Sequence, residues 1–335
     1  MYNISNMVSL LDILDYLSDG QFHSGEDLAE KFAVSRTAIW KQIKKLNTLL
    51  PMEVMSVSGK GYKIEFPISV LNKRAIIEKL RPGINGRLND IDIMLSCSST
   101  NQYLLEKIEQ YPFQNRLVLS ELQTQGRGRR GKEWISPFAS NVYMSLLWSL
   151  DVSIAQLSGL SLVVAISVAS ALKTLDVSDV MLKWPNDIYV GNKKLSGVLL
   201  ELRGESNSPC QAVIGIGVNV NMPEQFGKKI DQQWVDMQSL LQRKVDRNDV
   251  VAEILNELAS RLDKFNNEGF SSFISEWEKL DLLEGKQISI EGNALLKEGI
   301  ARGVDKNGAL LVEHKAVIEP LFSGEVSVRE KCHTC

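Results

Sequence analysis

The sequence predicts an α+β protein of three domains: a winged helix-turn-helix over residues 1–66, a mixed α/β sheet domain over 67–280, and a small SH3-like β-barrel over 281–330. Three observations lead there. At 335 residues the chain is too long for one ordinary core. Its first part carries apolar residues at helical spacing around a tight turn, followed by a hairpin pattern. Beyond Ile91 short strands alternate with a few helices, and beyond Leu283 strands stand alone.

In the first domain, Leu10, Leu11, Leu14 and Leu17 share one helical face, with Asp12, Asp15 and Asp19 opposite and Gly20 as the stop. Ser24, with Asp27 three residues on, caps a second helix through Phe32. After the Ala33-Val34 turn, Ser35 caps a third helix to about Leu49. Residues 52–57, the turn Ser58-Gly-Lys-Gly61 and residues 62–66 make a hairpin, the wing. The domain holds eight acids and seven bases, yet Arg36, Lys41, Lys44 and Lys45 gather on the third helix, and Lys60 and Lys63 on the wing. With Ile39, Ile43 and Leu46 turned inward, Arg36, Thr37, Trp40, Lys41 and Lys44, joined by Lys60, are candidates for DNA contact. Trp40 also suits half-buried packing, and a winged helix also serves protein contact alone. A monomer this small binds DNA weakly, so specific recognition calls for a dimer on paired half-sites.

In the second domain, residues 72–80 form a short helix, and residues 91–95 form a strand leading into Ser98-Ser-Thr-Asn101. A helix follows over 102–111. Four hydroxyl and amide side chains at a helix start exceed what capping requires, and they offer donors and acceptors to a small polar ligand. A strand over 116–121 delivers Gln123 and the stretch Gly126-Arg-Gly-Arg-Arg-Gly131, three glycines and three arginines in six residues. Glycines free backbone N–H groups to face an anion, and arginine adds permanently charged forks. Such a loop is expected to be poorly ordered until it folds over an anionic ligand. Alternatively it is a solvated basic tract or a nucleic-acid patch.

Further on come a strand over 141–148, a buried helix over 157–175, two strand pieces over 180–190 broken at Pro185, and a hairpin turn at Gly191-Asn192. Strands over 198–202 and 211–220 follow, and Gly215 and Gly217 mark a close approach to the backbone. Helices over about 249–265 and 270–280 close a sheet that carries its helices on one side.

The totals fit a folded enzyme or regulator. Hydrophobic and charged fractions of 44% and 24% are those of globular chains. A net charge of −3 places any nucleic-acid contact on local asymmetry. No signal-peptide pattern stands at the start, and the apolar run over 157–172 is too short to span a bilayer, so the protein reads as cytoplasmic. Cys97, Cys210, Cys332 and Cys335 form no disulfide framework. Cys332-His-Thr-Cys335 is half a zinc pattern without partners and reads as a frayed tail.

Taken together, Ser99-Thr-Asn101, Gln123-x-x-Gly-Arg-Gly-Arg-Arg-Gly131, Lys183-Trp-Pro-Asn-Asp187, Lys194-Leu-x-Gly197 and Gly215-x-Gly-x-Asn219 stand in the order seen in biotin protein ligases. The chain resembles that family from about Ser98 to its end. With a winged helix in front, it resembles the bifunctional type, biotin–carboxyl carrier protein ligase and biotin operon repressor. The resemblance implies a central sheet of the class II synthetase-like type. It also implies ATP-dependent conversion of biotin to biotinyl-5′-AMP and transfer to a lysine of the biotin carboxyl carrier protein, an acetyl-CoA carboxylase subunit. Biotinyl-5′-AMP would act as corepressor for a homodimer on operator DNA.

By this resemblance Ser99, Thr100, Asn101 and Gln123 hold the biotin head group. Gly126, Arg127, Gly128, Arg129, Lys194 and Gly197 complete the biotinyl-AMP site. Arg127, Arg129, Arg130, Lys194 and Lys183 are the catalytic cations, because a carboxylate must meet a phosphate and their repulsion has to be cancelled. Asn186, Asp187 and Asn219 suit the nucleotide or Mg²⁺, and Trp134 or Trp234 would stack near adenine, whereas Trp184 belongs to the core. Trp234 follows a polar, turn-rich segment expected to be mobile. In the absence of a His/Cys cluster, Mg²⁺ travelling with ATP, with Asp187 as a possible ligand, is the only metal expected. The carrier and a second protomer would compete for one exposed strand edge, with residues 198–202 as candidate, and the last domain would assist ATP or carrier binding. A lipoate-type ligase, a non-catalytic ligand-sensing repressor, and a ligase whose first domain no longer binds DNA are the alternatives.

Overall fold

Serine caps start each helix of the N-terminal segment. Ser9 accepts from the Asp12 N–H ahead of α1 (Leu10–Tyr16), Ser24 and Asp27 form a capping box at α2 (Gly25–Lys31), and Ser35 accepts from the Ala38 N–H at α3 (Arg36–Leu49). The computed structural model describes residues 9–84, 86–203, 210–292, 298–322 and 326–330. The wing is the antiparallel pair β1 (Val54–Val57) and β2 (Gly61–Ile64). Gly61 (φ +99°) has no room for a side chain, since a Cβ would lie 2.0 Å from the His23 carbonyl oxygen. Leu14, Leu28, Ile39, Ile43, Leu46, Val54 and Ile64 form the core of this segment, against which Leu95 and Phe138 of the next one also pack.

The chain then runs through α4 (Lys73–Glu78), β3 (Asp90–Met94), α5 (Thr100–Lys107), β4 (Arg116–Ser120), β5 (Val142–Leu150), α6 (Leu160–Thr174), β6 (Val180–Lys183), β7 (Asp187–Val190), β8 (Lys193–Arg203) and β9 (Cys210–Val218). The helices α7 (Glu224–Gly227), α8 (Met237–Leu241), α9 (Arg247–Glu268) and α10 (Ile274–Glu278) follow. The seven strands pair in the order β3-β4-β5-β9-β8-β7-β6, with only β3 and β4 parallel. Strand alternation divides the sheet into two faces. Val142, Met144, Leu146, Ile214 and Ile216 meet α6 and α9 in the main core. Val118, Leu147 and Val213 meet Leu104 of α5 on the other face. Helices therefore cover both faces, which corrects the one-sided arrangement read from sequence; α5 was too short and polar to show its own apolar stripe.

Two more corrections follow from backbone geometry. α5 starts at Thr100, so Thr100 and Asn101 lie in its first turn, and the N-cap Ser99 makes no side-chain cap bond. The C-terminal strands β10 (Gln287–Gly292), β11 (Glu298–Val304), β12 (Leu310–His314), β13 (Val317–Leu321) and β14 (Val326–Glu330) form a sheet in the order β13-β12-β11-β10-β14. It is SH3-like but not a closed barrel. β13 is an edge strand with Val317 and Ile318 exposed and Pro320 lacking an N–H, so among the described residues it does not return to β14. This sheet is fastened to the central one where Trp184 Nε1 donates to the Gly308 carbonyl at 3.0 Å.

β7 covers β8 through residues 193–197, so among the described residues 198–203 pair with β9 alone and, beyond Val198, which Asn186 bonds at both its N–H and its carbonyl, leave an open edge. No helix among the described residues is long and apolar enough to cross a membrane. The Cys332-His-Thr-Cys335 tail lies outside the described residues.

Candidate active site

The α5 face of the sheet is bare where three strands meet. Register places Gly197, Leu199 and Glu201 of β8, Gly215 and Gly217 of β9, and Tyr143 and Ser145 of β5 on this face. A Cβ at Gly215 would sit 2.3 Å from Asn101 Oδ1, and one at Gly217 would sit 2.4 Å from the Trp134 ring. The glycines thus let the first turn of α5 and the Trp134 indole lie directly on the strands. A cavity of about 1360 Å³ opens here. That exceeds the roughly 300–1,000 Å³ typical of a single small ligand, so two substrates fit side by side.

One end of the cavity is a polar network. Gln123 Oε1 accepts from the Thr100 N–H at 2.9 Å and from Thr100 Oγ1 at 3.2 Å, while Gln123 Nε2 donates to Ser136 Oγ at 3.0 Å. Ser145 Oγ lies 2.6 Å from Thr100 Oγ1 and 2.5 Å from Asn101 Oδ1. Asn101 Nδ2 donates to Glu201 at 2.8 Å. Ser99, Thr100 and Asn101 are all buried, so their remaining polar atoms require a polar ligand or each other.

The other end is cationic. Lys194 Nζ pairs with Asp187 at 2.7 Å and stands 5.4 Å from the centre of the Trp134 ring. Arg129 Nη1 donates to Asn186 Oδ1 at 3.3 Å. Burial pulls the Arg129 guanidinium below its ordinary pKa, with Asp187 opposing and Arg130 reinforcing. Burial likewise pulls Lys183 down; Asp187 opposes that shift, and Lys194 and Arg329 add to it. Cations packed together at this end favour an incoming polyanion.

The Gly/Arg loop roofs both ends. Gly128 N–H donates to the Lys132 carbonyl at 2.7 Å, and Trp134 N–H to the Gly126 carbonyl at 2.9 Å. Arg127 reaches Glu201 at 2.9 Å, and Arg130 approaches the Glu291 carbonyl at 3.5 Å. These bonds tie the tract to itself, to β8 and to the C-terminal sheet. Gly131 (φ +71°) and Arg130 (φ 56°) are the left-handed residues. Gly126 serves another purpose: a Cβ there would lie 2.3 Å from the Trp134 carbonyl oxygen.

Ser99, Thr100, Asn101, Gln123, Arg127, Gly128, Arg129, Arg130, Trp134, Lys183, Asn186, Asp187, Lys194, Gly197, Asn219 and Trp234 all line this one cavity; Gly126 alone of the predicted set does not. The Asn219 amide fastens backbone, donating to the Lys194 and Val235 carbonyls. The Trp234 segment is tied down as well, since Lys194 N–H donates to Gln233 and Val235 N–H to Lys194, each at 3.0 Å. Trp184 is buried, as expected of a core residue.

Sequence reasoning missed Ser145, Ser136 and Glu201, which hydrogen-bond residues of the cavity wall, and Lys286, Arg329 and Glu330 of the C-terminal segment, which line the cavity themselves. The adjacent charges Arg329-Glu330 in an otherwise apolar strand were the available signal. Among the described residues no group of three or more His, Cys, Asp or Glu could hold a metal ion. On the winged helix, Arg36, Thr37, Trp40, Lys41, Lys44 and Lys60 are all exposed, with Lys44 Nζ 5.3 Å from the centre of the Trp40 ring.

Comparison with known proteins agrees with this geometry. Residues 94–219 match the biotin/lipoate A/B protein ligase family, residues 9–63 an HTH domain, and residues 285–329 the biotin protein ligase C-terminal domain. The bifunctional ligase/repressor BirA of Escherichia coli (strain K12) is 39% identical over 95% of this chain and 97% of its own. The bifunctional ligase/repressor BirA of Bacillus subtilis (strain 168) is 29% identical over 95% and 98%. Among solved structures, the biotin protein ligase from Aquifex aeolicus in complex with biotin and ATP superposes with a TM-score of 0.62 at 28% identity, over 73% of this chain and all of that one. A winged helix, a glycine-floored cavity under a Gly/Arg roof and a matching C-terminal sheet, in that order, make this chain a member of the bifunctional ligase/repressor family of biotin protein ligases.

Proposed function

We propose that the protein joins biotin to ATP as biotinyl-5′-AMP, transfers biotin to a lysine of the biotin carboxyl carrier protein, and, with the same intermediate bound, dimerises on operator DNA of the biotin operon. The observation that carries the reading is one cavity with a hydroxyl–amide end, a cationic end and a roof of Arg127–Arg130. The ureido ring of biotin needs paired donors and acceptors, which Ser99, Thr100, Asn101 and Gln123 supply. The valerate carboxylate then lies toward Lys194, Arg127 and Arg129. Its oxygen attacks the α-phosphorus of ATP, the P–O bond to pyrophosphate breaks, and these cations with Arg130 and Lys183 stabilise the added charge. A neutral lysine of the carrier attacks the acyl carbon, loses its proton, and AMP leaves.

Trp134, whose indole sits against Gly217, is the residue we assign to the adenine side, with Trp234 lining the same cavity. Mg²⁺ arriving with ATP would neutralise phosphate charge, with Asp187 as the residue to hold it. Asp187, a single carboxylate among cations, fits the sparse protein ligation that Mg²⁺ takes. The open edge of β8 beyond Val198 is assigned to the carrier and to a second protomer in turn. We place the domain boundaries at 66/67 and 280/281, where the chain passes from one sheet to the next, and the protein in the cytoplasm.

Pyrophosphate exchange with biotin or lipoate as acceptor tests the reaction. Exchange that depends on biotin, and biotin transfer to an apo carrier domain, are expected. Exchange with lipoate and none with biotin would overturn the assignment.

A further inference from the structure

The Arg127–Glu201 contact joins the roof of the cavity to its floor. Glu201 lies on the ligand face of β8, within the open-edged part of the strand. Its carboxylate accepts from Arg127 Nη2 at 2.9 and 3.2 Å and from Asn101 Nδ2 at 2.8 Å. Arg127 is a loop residue, whereas Asn101 is fixed between Ser145 and Gly215 at the polar end. A single side chain therefore bonds the lid and the head-group pocket together. Nothing in the local sequence singles it out, because Glu201 becomes a neighbour of both only through the register of β8 with β9.

We propose that Glu201 is a positioning residue that latches the Gly/Arg loop shut over the adenylate through Arg127, and that it also sets the orientation of the Asn101 amide. The inference rests on the biotin ligase reading. The two tasks divide by chemistry. The latch needs the negative charge of Glu201, since a charged pair outlasts a neutral contact at a half-exposed site. The Asn101 bond needs only an acceptor oxygen, which a glutamine also offers. Because the latch sits at the open edge of β8, any strand added there passes beside it. A strand docked on that edge would therefore report on whether the lid is closed.

The test uses the full chain loaded with biotinyl-5′-AMP, comparing Glu201→Gln, Glu201→Ala and Arg127→Ala with the parent. Glu201→Gln is expected to release the adenylate about fivefold faster with an unchanged KM for biotin. Glu201→Ala should release it as fast and raise the KM for biotin as well. In the Arg127→Ala background, Glu201→Gln should add nothing further to release. Equal release from parent and Glu201→Gln, or release in the double variant equal to the product of the single effects, would overturn the latch. If the parent itself forms no biotinyl-5′-AMP, the ligase reading fails instead. Retained binding of ATP by each variant reports folding.

Discussion

Arg129 enters the cavity against the preference of its surroundings. Burial and neighbouring Arg130 disfavour its charge, and Asp187 and the Asn186 amide oxygen oppose them. An anion therefore gains more from Arg129 than from a solvated arginine, and a mixed anhydride gains a lid against water. Arg129→Gly is expected to free the adenylate, so that lysines on bystander proteins become biotinylated while adenylation itself continues. Streptavidin blots against a protein with no carrier domain measure this; a variant as retentive as the parent would sink the caging role.

Lys183 makes a pH prediction. Its folded pKa is lowered, chiefly by burial, so the folded chain sheds this proton before the unfolded chain does. The penalty of holding the charge is thus present at neutral pH, and stability from this group rises as pH climbs toward the unfolded value. Phosphates favour the protonated form, so the KM for ATP should rise before the ordinary lysine range is reached. Lys183→Met should flatten that limb and raise the KM at neutral pH.

At the scale of elements, α3 pairs an apolar face of Ile39, Ile43 and Leu46 with an exposed basic one. Phosphate contacts release counterions, giving a slope of log K against log salt near −0.9 per contact for duplex DNA. Lys44→Ala should therefore make the slope shallower by about 0.9 and weaken binding to all sequences alike. An unchanged slope would take Lys44 off the DNA.

α3 and its caps were legible in the sequence because their signals are local: Ser35, the apolar spacing and the basic face all lie within one stretch. The ligand motifs were legible for the same reason, each being a short run such as Gly126–Gly131. What stayed hidden came from pairing. Whether Glu201 or Leu200 faces the ligand depends on the register of β8, and a shift of one residue would exchange them. Ser145 sits among apolar neighbours in β5, so it reads as filler until Thr100 and Asn101 are laid over it. β13 read as one stave of a barrel, since its exposed Val317 and Ile318 have the composition of a buried strand.

For the whole molecule, the segment that follows the winged helix is tied to the catalytic sheet by a buried ion pair. Arg247 and Glu121 meet at 2.6 Å, with side-chain exposures of 1% and 0%. Glu121 also accepts from the Leu71 N–H at 2.7 Å, and Arg247 donates to the carbonyls of Ser69 and Asn141. Residues 69–71, just past the winged helix, are thus clamped to Arg247 and to Glu121, which stands two residues ahead of Gln123. Removing one partner strands a buried charge, typically at about 3–5 kcal/mol. Arg247→Met should lower the urea midpoint strongly, and adding Glu121→Gln should restore part of the loss. A single variant as stable as the parent would show that the pair is not a structural clamp.

Linkage between ligand and DNA sets what must be seen. A ligand that favours the dimer-competent state must strengthen DNA binding by the factor with which DNA strengthens ligand binding. The decisive measurement is the affinity of the full chain for its own biotin-operon promoter, across a salt series, with and without biotinyl-5′-AMP. Binding should be tighter with the adenylate, cooperative in protein concentration and steeply salt-dependent. Identical affinity with and without it would contradict the account, leaving a ligase whose winged helix serves another purpose.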